Sequence, residues 1–159
     1  VTMLDELQQR ESKDLTSLVR ELVARRTDGR IKLYITYKAL NFRREHRDLF
    51  EQGAYQPVTV SGAKEDHVLA FARHLGDCWA LVAVPRLVVK LSPSAKPPLG
   101  KRIWKETVLH LPEGGPNGWQ NVFTGEALAV SDSNTTERGL LAHEVFHRFP
   151  VALLVSSPI

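Results

Sequence analysis

Trp79-Ala80-Leu81-Val82-Ala83-Val84 is an unbroken run of six apolar residues. A strand with one wet face alternates apolar with polar residues, so an uninterrupted run of this length predicts a central strand covered on both faces. On either side, short β-rich runs are separated by clusters of Gly, Pro, Ser and Asn. Tyr55 to Val60 and Val68 to Ala72 read as strands before it. Arg86 to Leu91 continues the central strand or forms its own. Thr107 to Leu111 alternates and reads as another. Asn121 to Phe123 and Ala127 to Val130 flank Thr124-Gly125, a hairpin signal. Val151 to Val155 is a last strand. Lys96 to Gly100, with Pro97-Pro98, and Pro112 to Gly118 read as connections. Short strands at this density predict an antiparallel sandwich.

Before residue 50 the spacing is different. Leu15, Leu18, Val19, Leu22 and Val23 fall at i, i+3, i+4, i+7 and i+8, the stripe of an amphipathic helix. Thr2 and Asp14 are candidate helix starts. Thr27-Asp28-Gly29 breaks the pattern, with Gly29 suited to a helix C-terminus. A second helix is expected with Asp28 as N-cap. In it Ile31, Leu33, Tyr34, Ile35, Tyr37 and Leu40 lie nearly all round the axis. Such a helix is normally buried on more than one side, and the short N-terminal part holds nothing to cover it, which hints at a missing partner. The expected fold class is therefore α+β: helices over residues 1–50, then an antiparallel all-β sandwich over 51–159.

Bulk properties narrow the function. The 159 residues are 43% hydrophobic and 25% charged, which excludes a disordered chain. No apolar run approaches the roughly 20 residues a bilayer-spanning helix needs, so no membrane partner is expected. Val1 to Glu11 lacks the apolar block of a secretory leader. Cys78 is the single cysteine and cannot form an internal disulfide, which fits a cytoplasmic setting. The net charge is +3, with much of the excess between Arg20 and Arg47. Asp28, Glu45 and Asp48 interleave with these bases, as on a solvated helix face, and no nucleic-acid-binding motif accompanies them.

The sharpest motif is His143-Glu144-Val145-Phe146-His147. On a helix this H-E-x-x-H spacing puts two imidazoles on one face to grip zinc, with the glutamate as general base. A catalytic zinc needs a third protein ligand, and none of the twelve residues after His147 is His, Cys, Asp or Glu. Pro150 and Leu153 stand where an extended motif would need Gly and His. The expected reading is a short helix, Glu137 to His147, leading to the last strand. His46, His67, His74 and His110 are scattered. Cys78, beside the central strand, reads as an inert core thiol. Glu65, Asp66 and Asp132 fall in expected turns and are assigned no glycosidic role. Ser61-Gly62 and Gly114-Gly115 lack the lysine of a phosphate loop. Trp79 and Trp119 read as core. Trp104, after a loop, is the candidate surface platform for a sugar. No catalytic residue, metal ligand or cofactor site is assigned.

Several strings in order resemble one family. Asp28-Gly29-Arg30-Ile31-Lys32-Leu33-Tyr34-Ile35-Thr36 is similar to the segment entering the last barrel helix of maltooligosyltrehalose synthases. Arg43-Arg44-Glu45-His46-Arg47-Asp48-Leu49-Phe50 with Gly53-Ala54-Tyr55 resembles its exit into the C-terminal domain. Asp66-His67-Val68-Leu69-Ala70-Phe71-Ala72-Arg73, Pro97-Pro98-Leu99-Gly100 with Trp104 and Thr107-Val108-Leu109, Trp119-Gln120-Asn121-Val122-Phe123-Thr124-Gly125, and Phe149-Pro150-Val151-Ala152-Leu153-Leu154 follow in family order. Leu87 to Ala95 and Ser131 to Arg138 match less well. The resemblance implies a parent of the α-amylase superfamily that turns the reducing-end α-1,4 link of a maltooligosaccharide into the α,α-1,1 link of trehalose by intramolecular transglucosylation. It implies that residues 1–50 are the end of the catalytic barrel and that the barrel upstream is the partner. It also implies that the catalytic carboxylates precede residue 1, at the C-terminal strand ends. The isolated chain is expected to fold its helices back onto the sandwich or to pair with another copy.

Overall fold

The computed structural model describes residues 2–130 and 138–156. Its first two helices start where the sequence offers caps. The Thr2 hydroxyl accepts the Asp5 amide at 3.2 Å and the Asp5 carboxylate accepts the Thr2 amide at 2.8 Å, opening α1 (Met3–Lys13). The Asp14 carboxylate accepts the Ser17 amide at 3.0 Å, opening α2 (Leu15–Ala24), whose Leu18, Val19, Leu22 and Val23 are buried. A 3-10 turn, Arg26–Asp28, leads to Gly29 at φ +84°, a conformation that costs glycine little. The third helix, α3 (Arg30–Glu45), is therefore capped by Gly29 and not by Asp28. Asp28 sits one residue earlier, and its carboxylate still accepts the Arg30 amide at 3.0 Å. The short α4 (Arg47–Glu51) closes the helical part.

The rest is two antiparallel sheets with short helical turns, an α+β fold of sandwich type. Six strands run in the order β1 (Ala54–Pro57), β3 (Val68–Leu75), β4 (Cys78–Pro85), β9 (Ala152–Ser156), β6 (Gly118–Asn121), β7 (Ala127–Ala129). The smaller sheet runs β2 (Thr59–Ser61), β5 (Val108–His110), β8 (Gly139–Leu141). The central apolar run is β4, held between β3 and β9. Trp79, Leu81 and Ala83 face the small sheet, where they join Trp104, Leu109, Trp119, Leu140 and Leu154. Ala80 faces the helices and joins Leu18, Leu22, Tyr34, Phe42, Phe149 and Leu153. The sheet is thus the middle of three layers, which is why β4 has no polar face. Fully burying each Leu contributes roughly 1.5–3 kcal/mol.

Four expectations are corrected. Tyr55 to Val60 is not one strand. Pro57 ends β1, and the buried Val58 carries the chain across to the other sheet, its amide donating to the Ala70 carbonyl at 3.2 Å; a proline has no amide to extend a ladder. Arg86 to Leu91 is not extended: Leu87 adopts φ +53° and a single helical turn follows, α5 (Val88–Leu91). The 137–147 segment is not one helix. Gly139–Leu141 is strand β8, paired with β5, and only one turn, α7 (Ala142–Val145), is helical; Glu137 lies outside the described residues. The β6–β7 hairpin turns over a wider arc than Thr124-Gly125. Asn121 stays in β6, and Phe123 leaves the sheet to pack on Phe149 with ring centroids 5.5 Å apart.

Candidate functional site

The H-E-x-x-H residues sit at the corner between α7 and β9. Phe146 and Phe149 are both buried there and pin the chain. The Phe146 amide closes the single helical turn on the Ala142 carbonyl, so His147 lies beyond the helix end. Its Nδ1 is 3.2 Å from Glu126 Oε1, the same oxygen that Arg148 Nε approaches at 3.2 Å. His143, Glu144 and His147 border a groove of about 520 Å³ floored by Ala127–Val130 of the β7 segment. Among the described residues, no three His, Cys, Asp or Glu side chains are grouped so that they could hold a metal ion. The guanidinium already neutralising Glu126 disfavours a cation there. The corner ties the β6–β7 turn to the last strand.

The surface expectation for Trp104 is overturned. It ends a one-turn helix, α6 (Lys101–Trp104), and is fully buried. Its ring stacks on Phe146 at a centroid distance of 4.7 Å, and its indole N–H donates to the Pro98 carbonyl at 2.7 Å. Both hydrophobic area and polar handle are used internally, so no face is offered to a sugar. Trp79 and Trp119 are core residues, as their strands imply. Glu65 and Asp66 are exposed on a 3-10 turn, and Asp132 lies outside the described residues. Cys78 is half-buried against the helix-side core. His46 stacks on Phe42, and His74 on Trp79. Sequence reasoning missed one contact: Ser61 Oγ and His110 Nε2 lie 2.6 Å apart although 49 residues separate them. Only the β2–β5 pairing, Thr59 opposite His110, brings them together.

Four basic residues of the helices are ion-paired: Arg10, Arg30, Lys38 and Arg47. Glu21 accepts Arg10 at 2.6 Å and Arg30 at 2.9 Å, and Arg30 also meets Asp28 at 2.9 Å. This links α1, α2 and the start of α3. The Arg10 and then the Arg30 hydrogen bonds hold the Glu21 carboxyl down at about 2. Lys38 pairs with Glu11, and Arg47 with Glu51. These pairs set acids against bases on the helix surface.

An open apolar feature lies on the helix side of the large sheet. A groove of about 320 Å³ runs between Ile35, Ala39, Leu40 and Arg43 of α3 and Val82 and Val84 of β4. Leu40 is 60% exposed, Tyr55 58% and Leu69 56%. The sequence marked Leu40 through the all-round apolarity of α3. The exposure of Leu69 was hidden, because it depends on where the helices stop covering the sheet.

No protein-family model matches the chain. Two proteins described as maltooligosyl trehalose synthases, from two strains of Mycobacterium tuberculosis, are each 39% identical to it over 124 residues. That match covers 78% of this chain but 13% of either relative. A solved structure, a single-site mutant of maltooligosyltrehalose synthase from Arthrobacter ramosus, superposes with a TM-score of 0.59 at 26% identity, over 87% of this chain and 16% of that one. Sequence order, identity and three-layer geometry agree, and the chain belongs to the maltooligosyltrehalose synthase family, of whose relatives it spans 13% of the length.

Proposed function

We propose that this chain is a non-catalytic C-terminal part of a maltooligosyltrehalose synthase. Residues 1–50 are the last helices of its catalytic barrel and residues 51–159 the sandwich that follows. The observation that carries the reading is the match itself: 39% identity confined to 13% of proteins named for the whole reaction. In the whole enzyme the reducing-end α-1,4 link of a maltooligosaccharide becomes the α,α-1,1 link of trehalose by intramolecular transglucosylation. The carboxylates for that step belong to the barrel upstream. The acids of this chain support this division, since Glu21, Glu11 and Glu126 are engaged by arginine, lysine or histidine and Glu65 and Asp66 stand exposed on a turn. The sandwich acts by bracing: Tyr34 of α3 bonds to the Phe123 carbonyl at 2.8 Å, tying helix to sheet. The barrel is the partner, the setting is cytoplasmic, and no cofactor is required. No described helix is long and apolar enough to cross a membrane.

The test is an assay of reducing-end loss and trehalosyl product from a maltooligosaccharide. This chain alone should give neither, and a form that includes the upstream barrel should give both. Turnover by this chain alone would overturn the reading.

A further inference from the structure

The sheet face that carries the helices is only half covered. α3 seals Leu153 and the turn at Phe123, but the β3 side stays open. Leu69 stands opposite Val84 and Phe71 opposite Val82, and directly paired residues share a face. Tyr55, on the edge strand β1, stacks on Phe71 with centroids 5.3 Å apart and planes 29° from parallel. Apolar surface therefore continues from Leu40 of α3 across β4 and β3 to the sheet edge. An antiparallel sheet that faces water alternates with polar residues, and a contiguous apolar patch rimmed by charge marks an interaction surface. The rim is basic. Arg43 lines the groove and Arg44 stands with it and Leu40 around the adjoining hollow, and among the described residues neither arginine makes a side-chain hydrogen bond or ion pair.

We infer that this face seats an amphipathic helix from the remainder of the same synthase polypeptide. Its aliphatic ridge lies over Leu69 and Val84, and its carboxylates are set against Arg43 and Arg44. The inference rests on the reading of this chain as part of a longer synthase and names the surface by which the two parts join. Most of the relatives' length lies outside the segment matched here, so a covalently linked partner is at hand at high effective concentration. The face is largely aliphatic, which suits a protein ridge; a sugar takes flat rings and polar partners, and only Tyr55 offers both. A second copy docked across a two-fold axis would bring the two basic rims together, and the nearby Glu51 is already taken by Arg47.

Hydroxyl-radical footprinting of the isolated chain and of the full polypeptide tests this, with Val89, 83% exposed on α5, as internal reference. The modification rates of Leu40, Tyr55 and Leu69 should fall several-fold in the full polypeptide, with Val89 unchanged. Replacing Arg43→Glu and Arg44→Glu in the full polypeptide should return the rates toward those of the isolated chain. Equal rates in both forms would overturn the inference. So would protection that grows with concentration of the isolated chain, which would mean a second copy, or protection that appears only with added maltooligosaccharide, which would mean a sugar. Protection that persists with both arginines reversed would overturn the acidic character of the partner. Trehalosyl product from the full polypeptide is read on the same sample. Product without protection removes the docking inference alone, and protection without product removes the parent reading alone.

Discussion

Removing one oxygen tests whether the helices are docked on the sheet. Tyr34 is fully buried, packs edge-on against Phe149 at 6.1 Å and donates its hydroxyl to the Phe123 carbonyl at 2.8 Å. Burial pushes the phenol's ionisation well above its ordinary range, so it remains a donor at every pH at which the fold would be studied. Tyr34→Phe keeps the ring and its packing and leaves the carbonyl of a buried residue without its partner. That loss costs about 1–3 kcal/mol. For a chain of this length each kcal/mol lowers the melting midpoint by about 2–4 °C, so a central value of about 2 kcal/mol predicts a fall of about 4–8 °C. Urea unfolding should show a lower midpoint at unchanged slope, since the surface exposed on unfolding is the same. Tyr37→Phe, on the same helix but only half-buried, should move stability by less than about 0.5 kcal/mol. If the two variants behave alike, α3 is not held against the 122–126 turn, and the three-layer account fails.

Three further outcomes follow from the geometry. Glu21 is held ionised to about 2 by Arg10 and Arg30, below the value of about 4.3 for an unfolded glutamate. Its contribution is therefore complete above the unfolded value and is lost as pH falls toward 2; Glu21→Gln should flatten that part of the acid-unfolding curve, and an unaltered curve would show that the helix network is not formed. Gly53→Ala would put a Cβ 2.2 Å from the Leu49 carbonyl oxygen and 3.0 Å from that of His74. Both are backbone atoms between α4 and the sheet, so the change should cost about 2 kcal/mol or more in denaturant titration; a neutral result would place β1 differently. Exhaustively dialysed chain should retain well under stoichiometric zinc in elemental analysis, because Glu126 already engages His147 and Arg148; stoichiometric zinc would make His143 and His147 ligands after all.

What could be read from the sequence was set by local rules. The stripe of α2, the caps at Thr2 and Asp14, and the two-sided burial of β4 each depend on spacing within a few residues, and the structure has all of them. Errors came where a non-local partner decided the outcome. Gly139–Leu141 looked helical beside Ala142, yet it is a strand because β5 lies alongside it. Trp104 looked free because it follows a loop, but the ring that covers it belongs to Phe146, 42 residues on. Val58 changes sheets only because two sheets exist to change between. The H-E-x-x-H spacing had the opposite fault: it is a local pattern that means a metal site only on a continuing helix, and Phe146 ends that helix after one turn.

The same contrast explains why α3 is apolar on more sides than one sheet can cover. Ile31, Tyr34 and Phe42 face inward and are buried. If the helix had evolved only to seal this sheet, its outer side would gain nothing from Leu40, and a polar residue at that position would remove exposed apolar area at no packing cost. The exposed apolar residues do not stop at the helix. Apolar side chains continue through Val84 to Leu69, which stands opposite it, and through Phe71 to Tyr55, which stacks on it, while the other faces of β3 and β4 are used in the sandwich core. Two independent elements, a helix and a sheet, thus leave matching apolar surface on the same side, beside Arg43 and Arg44. Chance exposure on one element would not line up with the other, and a single ridge docked on this face, as proposed above, would cover both.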